Sequence, residues 1–289
     1  MVPSDPPPET EAPATPVQRP PDPDAPAARN PKFDAMWRGI LEGTDPRYRN
    51  WRGWLQRLPA SHRCHMCAAP FRGPLAPVMR FMGRAPWGRN PNYCKRCFVM
   101  MESHGGGAEI QCSLLFADVR GSTGIAEGMS ATDFRHLMDR FYRVASHVLY
   151  EQDGIIDKYI GDEVVAIFIP ALAQDAHAER AVAAARALLV ATGHGEPGGP
   201  WLPVGAGIAS GVAYVGAVGS GEHVEFTALG DIVNTAARLA GAAAAGEILV
   251  TIPALERANI EPFGLEHRSL DLKGKSVQVE VAVLRATGS

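Results

Sequence analysis

Apolar positions along this chain change period several times, and each change marks an element. Residues 112–118 form a short apolar run that ends at an acid, Asp118, and predicts a strand. Ser130-Ala-Thr-Asp133 has the form of a capping box. Behind it Phe134, Leu137, Met138, Phe141, Ala145 and Val148 recur at helical spacing. Residues 155–160 and 164–169 read as two strands around Gly161-Asp162, a hairpin signal. An Ala-rich helix is expected over 175–191 and two Gly-punctuated strands over 204–218. A helix over 231–240, a strand over 248–251 and an alternating strand over 277–284 complete the pattern. The order β-α-β-β-α-β with extra strands at its end predicts a ferredoxin-like α+β sheet.

Ahead of this region the pattern is weaker. Trp37, Ile40 and Leu41 can share one helical face and Trp51, Trp54 and Leu55 another, with Asp45-Pro46 between them. Two Cys-x-x-Cys pairs follow, separated by a Pro/Gly-rich loop, and Gly105-Gly106-Gly107 reads as a linker. The first 30 residues hold ten prolines and almost no large apolar side chains, so they are expected to be a disordered tail and not a signal peptide. Three parts are therefore expected: a tail over 1–30, a small, partly helical module with the four cysteines over 31–104, and the α+β domain over 105–289.

Charge sharpens the division. Residues 31–104 hold 13 Lys/Arg against 4 Asp/Glu, and residues 105–289 hold 13 against 22. Blocks of opposite sign can attract each other, or the basic one can meet an anionic surface. No recognition-helix pattern accompanies the basic block, which argues against nucleic acid as its partner. No stretch has the roughly 20 apolar residues of a membrane span, so a cytoplasmic location is expected.

The candidate chemistry starts with two acids. Asp118 ends the first strand and Asp162 sits in the turn after the second. A βαβ unit makes those strands parallel, so both acids reach one edge of the sheet. Close carboxylates repel unless a proton or cation is shared, and their oxygens suit magnesium or manganese. Two ions held this way can clamp the attacking and leaving oxygens of a phosphoryl displacement.

Three blocks carry a family resemblance: Phe116-Ala-Asp-Val-Arg-Gly-Ser-Thr123, Asp157-Lys-Tyr-Ile-Gly-Asp162 and Leu229-Gly-Asp-Ile-Val-Asn-Thr-Ala-Ala-Arg238. Together they resemble the signature blocks of class III nucleotidyl cyclases, in family order, over roughly residues 108–288. The resemblance implies two Mg or Mn ions on Asp118 and Asp162 with the Val119 carbonyl nearby. It further implies Lys158 on the purine, Asn234 on the ribose and Arg238 on the phosphates. From the Leu272-Lys-Gly-Lys275 segment it implies a lysine on the triphosphate, Lys275 in preference to Lys273.

Many family members carry Asp seven residues before the Asn, where this chain has Thr227. Thr at that position resembles the subgroup that includes bicarbonate-responsive cyclases. Guanylate cyclases typically place Glu and Cys where this chain has Lys158 and Thr227, so ATP is expected over GTP. The family's site lies between two cyclase domains. This chain has one such domain with elements of both faces, which implies a homodimer. The alternatives are a guanylate cyclase or a non-catalytic nucleotide-sensing module. The latter predicts loss of a metal acid or of the Asn/Arg pair, and neither is lost.

Cys64, Cys67, Cys94 and Cys97 make Cys-x-x-Cys twice with 26 residues between. In a cytosolic setting four such thiols argue for a closed structural zinc site, with an iron–sulfur cluster as the alternative. His65, inside the first pair, is expected to be an exposed bystander, and Cys112 a buried apolar residue.

Overall fold

The computed structural model describes residues 31–60, 62–88, 90–103, 106–220, 223–271 and 278–286. The Pro-rich tail and the Leu272–Lys275 segment, including Lys273 and Lys275, lie outside them.

One eight-stranded sheet organises the chain. Its strands are β3 (Gly107–Val119), β4 (Ile155–Ile160), β5 (Glu163–Phe168), β6 (Val204–Ser220), β7 (His223–Leu229), β8 (Glu247–Thr251), β9 (Glu266–Leu270) and β10 (Val279–Arg285). The spatial order is β4-β5-β3-β6-β8-β10-β9, with β7 also paired to β6. β5 runs antiparallel to both β3 and β4, so those two are parallel with β5 inserted between them. This is the split βαβ arrangement of the ferredoxin-like fold, and it makes the chain the α+β protein that the pattern predicts.

Alternation along β3 supplies both faces of the sheet. Leu115, Ala117 and Val119 face α6 (Ala131–Glu151) and α8 (His177–Ala191) in one core. Ile110, Cys112, Leu114 and Phe116 face a second core, shared with α9 (Asp231–Ala242). α6 begins where the capping box predicts: Ser130 Oγ accepts from the Asp133 N–H at 3.1 Å. α8 starts two residues later than expected, after a 3₁₀ turn at Gln174–Ala176.

The expected pair of strands over 204–218 is a single strand, β6. Its glycines are places of close approach, not turns. A Cβ on Gly207 would sit 2.3 Å from the Ala240 amide, so the glycine lets α9 lie directly on β6. The turn comes later, and β7 returns along β6 with Gly216 opposite Thr227. A short helix, α5 (Ser122–Glu127), follows β3, and the elements that escaped the sequence pattern include β7, β9 and α10 (Ile252–Arg257).

The N-terminal part builds α1 (Pro31–Leu41), α2 (Pro46–Gln56), α3 (Ala76–Phe81), the two-stranded ladder β1 (Pro86–Trp87) and β2 (Asn90–Cys94), and α4 (Lys95–Ser103). A further short helix, α7 (Pro170–Ala173), follows β5. Asp45 caps α2 and Pro46 opens it, as the Asp-Pro signal predicts. Trp37 and Leu41 are buried, but Trp54, expected on the apolar face of α2, is 50% exposed; Leu55 carries that contact. These elements do not hold a core of their own. Trp37, Leu41, Leu55 and the four cysteines belong to the same buried cluster as Ile110, Leu114, Val215 and Ala228 of the sheet. The Trp37 indole lies so close over Gly106 that a Cβ there would be 1.4 Å from its Nε1.

Candidate functional site

The split βαβ topology brings the two acids together. Asp118 pairs with Glu163 in the β3–β5 ladder, and the Val119 N–H donates to the Asp162 carbonyl at 3.3 Å. The Gly161-Asp162 turn needs a left-handed residue, which Gly161 supplies at φ +62°. Tyr142 of α6 donates its hydroxyl proton to the Gly161 carbonyl and packs tilted against Tyr159, ring centroids 4.4 Å apart, which braces the turn from the helix side. Asp162 borders a cavity of about 710 Å³ with Ser122 and Thr123 at the start of α5.

Arg120 stands over Asp118 as an ion-pair partner and anchors itself on the Gly241 carbonyl at 2.9 Å. Burial and the neighbouring Asp162 charge push Glu163 up to about 7, with Arg120 pulling the other way. Negative charge is thus concentrated at this edge. No third potential ligand joins Asp118 and Asp162 in a tight cluster among the described residues. Two carboxylates with phosphate oxygens completing the shell is the donor set that Mg²⁺ takes in nucleotide sites, so the residues fit the expected ions. Sequence reasoning passed over Arg120 and Glu163; each lies within two residues of Asp118 or Asp162.

The residues that the resemblance assigns to purine and ribose gather beside this edge, in a cavity that Glu163 also lines. Lys158 on β4, Thr227 on β7 and Asn234 on α9 line one cavity of about 540 Å³, floored by Phe116 and Val165. Arg238 follows one helical turn after Asn234, half-buried, and does not line that cavity. Lys158 Nζ lies 2.9 Å from Glu225 and 3.7 Å from Asp157. Burial pulls its pKa down, but Glu225 and Asp157 outweigh that and hold the ammonium above the usual lysine value. Thr227 is buried and donates to Asp157 Oδ2 at 2.7 Å. Burial pushes the Asp157 carboxyl up, while Thr227 and Lys158 pull it back toward the charged form. Asp157 and Glu225 were not singled out from the sequence. Asp157 adjoins Lys158 inside the second signature block; nothing in the pattern marks Glu225.

The cysteines meet as their spacing predicts. One sulfur from each of Cys64, Cys67, Cys94 and Cys97 lies within 4.8 Å of the others, and all four residues are buried. The first pair sits on a turn closed by Cys64 N–H to the Ala69 carbonyl and Ala68 N–H to the Cys64 carbonyl, both 2.8 Å. The second pair spans the end of β2 and the first turn of α4, where the helix dipole favours thiolates. Amides donate to two sulfurs: Cys94 N–H to Cys64 at 3.2 Å and Cys97 N–H to Cys94 at 3.4 Å. Arg84 donates to Cys67 Sγ at 3.0 Å and stacks over Trp51. Hydrogen bonds from Cys64 push Cys67 and Cys94 toward thiolate, while Cys64 and Cys97 are pushed up. Four sulfurs this close cannot all be anionic without a cation, and a tetrahedral divalent ion fits them. His65 is not the exposed bystander expected: it is half-buried, edge-on to Tyr93 and to Tyr150 of α6. Cys112 is buried as expected.

This fold and this edge of paired acids define a nucleotidyl cyclase catalytic domain. The profile of the adenylate and guanylate cyclase catalytic domain family matches residues 101–284, and the chain belongs to that family. An adenylate cyclase of Anabaena cylindrica is 29% identical over 188 residues, 60% of this chain and 36% of its own. Adenylate cyclase 1 of Rhizobium meliloti is 34% identical over 136 residues, 45% of this chain and 20% of its own. The chain thus spans about a third or less of the curated relatives it matches. Among solved structures, the adenylyl cyclase CyaB from P. aeruginosa is 26% identical with a TM-score of 0.54, covering 63% of this chain and 97% of its own. A guanylyl cyclase is 25% identical with a TM-score of 0.56, covering 62% and 93%. Both adenylate and guanylate cyclases occur among the similar proteins. No helix among the described residues is long and apolar enough to cross a membrane.

Proposed function

We propose that this protein is an adenylate cyclase that converts ATP to 3′,5′-cyclic AMP and pyrophosphate at sites shared between two copies of the chain. One observation carries the reading. Lys158, Thr227 and Asn234 converge from three different elements on one cavity, while Asp162 borders another. Each copy then offers a nucleotide-holding face and a metal-holding edge, and a two-fold pair joins one of each at both sites.

Asp118 and Asp162 would hold two Mg or Mn ions, with the Val119 carbonyl beside them. Those ions supply a lowered pKa for the ribose 3′-hydroxyl and counter-charge for the phosphates. Lys158 donates to the purine, Asn234 orients the ribose and Arg238 offers its fork of donors to phosphate oxygens. Lys275 is our candidate for the triphosphate tail. Oriented in this way, the 3′-oxygen attacks the α-phosphorus, its proton passes to Asp118 or water, and pyrophosphate leaves. Zinc is our candidate for the four-cysteine cluster. Bicarbonate stimulation, suggested by Thr227, belongs to the same assay.

Purified protein with manganese or magnesium should form cyclic AMP from ATP and little cyclic GMP from GTP. A mixture of Asp118→Ala and Arg238→Ala chains, each inactive alone, should recover activity through the one composite site left intact. A higher kcat/KM with GTP, or a fully active monomer in sedimentation, would sink the corresponding part.

A further inference from the structure

Asp157 and Lys158 are consecutive in a strand, and consecutive strand side chains normally point to opposite faces. Both nevertheless line the purine cavity. The pairing of β4 with β5 explains how. Ile156 pairs with Ala166 and Lys158 with Val165, so Asp157 is an extra residue, a bulge in β4. Bulges re-aim side chains, and they recur beside active sites. This one places a carboxylate, only 5% exposed, next to the lysine.

That carboxylate meets the second purine-reading residue. Asp157 Oδ2 accepts the hydroxyl proton of Thr227 at 2.7 Å. Its Oδ1 has no hydrogen-bond partner but faces the Lys158 ammonium at 3.7 Å, so one carboxylate touches both residues.

We infer that Asp157 is the positioning residue that sets base specificity, by fixing the direction of the Thr227 hydroxyl. The inference rests on the cyclase reading above. A carboxylate can only accept, so Thr227 commits its single hydrogen to Asp157 and turns lone pairs toward the cavity. Lys158 can only donate. Thr227 and Lys158 therefore present one acceptor beside one donor, in a cavity that Glu163, Glu225 and Asn234 also line. Adenine offers an amino donor at C6 and an acceptor at N1, which match. Guanine offers an acceptor oxygen at C6 and a donor at N1, which oppose both. A freely rotating threonine hydroxyl would serve either base at C6 and leave Lys158 alone to discriminate at N1, so the Asp157–Thr227 bond adds selectivity that threonine itself does not supply. Mismatched buried polar groups discriminate strongly because they are left unpaired.

The test is the ratio of kcat/KM for ATP over GTP, measured with intact protein in two backgrounds. Asp157→Ala should lower the ratio by about tenfold, the worth of one buried hydrogen bond. In a Thr227→Val background, where no hydroxyl remains to orient, Asp157→Ala should change it by less than about twofold. An unchanged ratio in the first background, or equal changes in both, overturns the inference. Should the variants not fold, the unaltered enzyme still decides. Inosine triphosphate keeps the C6 oxygen and N1 hydrogen but lacks guanine's 2-amino group, so it should be rejected as strongly as GTP. Use of it within about threefold of ATP overturns the inference, since a Thr227 hydroxyl committed to Asp157 has no hydrogen for the C6 oxygen. Absence of cyclase activity toward all three nucleotides would instead defeat the cyclase reading.

Discussion

The four-cysteine cluster and the carboxylate edge both gather residues far apart in sequence, but they are built in opposite ways. The sulfurs lie inside a hydrophobic core, with backbone amides and Arg84 already donating to them. The acids lie at the end of a sheet, held by main-chain pairing, with Arg120 as a counter-ion that reaches across from Gly241. A cluster inside a core contributes to folding when it closes on an ion. A pair of acids at a rim contributes to chemistry and costs stability until substrate and ions arrive. The two regions should therefore respond differently to removal of their ligands.

Mutation at the rim tests this most severely. Asp162→Ala, and separately Asp118→Ala, should lower kcat by about a thousandfold or more, as loss of a group that stabilises transition-state charge does. Thermal unfolding should move by only a few degrees, and the metal content of the cysteine cluster should not move at all. A collapse in melting temperature would mean that the acids, too, are structural.

The converse variant is Cys94→Ser. It should lose the bound ion and destabilise the protein by about 3–5 kcal/mol, the range seen when a buried cluster is broken. Trp37, Leu55 and the cysteines share a core with Ile110, Val215 and Ala228, so unfolding should be one joint transition, with cyclase activity lost along it. A separate low-temperature transition with full activity retained would show that residues 31–104 are dispensable to the sheet. Elemental analysis identifies the ion: zinc is expected, and iron with sulfide would replace it.

The contrast also explains what could be read from the sequence. Cysteine spacing is a local pattern, and the four sulfurs gather as it predicts; the three signature blocks are local patterns too, and they put Asp118 and Asp162 at one sheet edge. The capping box at Ser130 and the Gly161 turn were equally legible, because each depends on a few neighbouring residues. The length of β6 was not. Glycine serves both turns and close packing, and only the presence of α9 against Gly207 decides which. Asp157 and Glu225 were missed for a related reason. Their importance depends on a bulge and on a cross-sheet contact, and neither has a sequence period.

Acid should weaken the fold through a group outside both sites. His177 is 3% exposed, and its Nδ1 lies 2.8 Å from Ser113 Oγ. Burial, then the Arg257 charge, lowers its pKa from 6.5 to about 4. Between those values the unfolded chain binds a proton that the folded chain refuses, so stability falls as pH drops from 6.5 toward 4. The slope reaches about 1.4 kcal/mol per pH unit for this one group. Urea unfolding at pH 7 and pH 5 should show the loss, and His177→Gln should remove this group's share of it. An unchanged slope in that variant would assign the acid sensitivity elsewhere.

The smallest expected effect lies at Glu225, the purine-site counterpart of Arg84 at the cysteines. Both are charges that support a group in closer contact with the ligand, but their surroundings differ. Arg84 acts on a buried sulfur, whereas Glu225 is 48% exposed and its partner Lys158 is 34% exposed. Solvent screens a pair of that kind to below about 1 kcal/mol. Lys158 also keeps Asp157 beside it at 3.7 Å, so its ammonium stays charged and oriented without Glu225. Glu225→Gln should therefore leave the melting temperature unchanged and raise the KM for ATP by no more than about threefold, an effect that fades in high salt. The ATP-to-GTP ratio should hold, because the Thr227 hydroxyl stays bonded to Asp157. A tenfold loss of kcat in this variant would mean that Glu225 holds Lys158 in place, and that the purine wall depends on an exposed contact as heavily as the cysteine cluster depends on its buried ones.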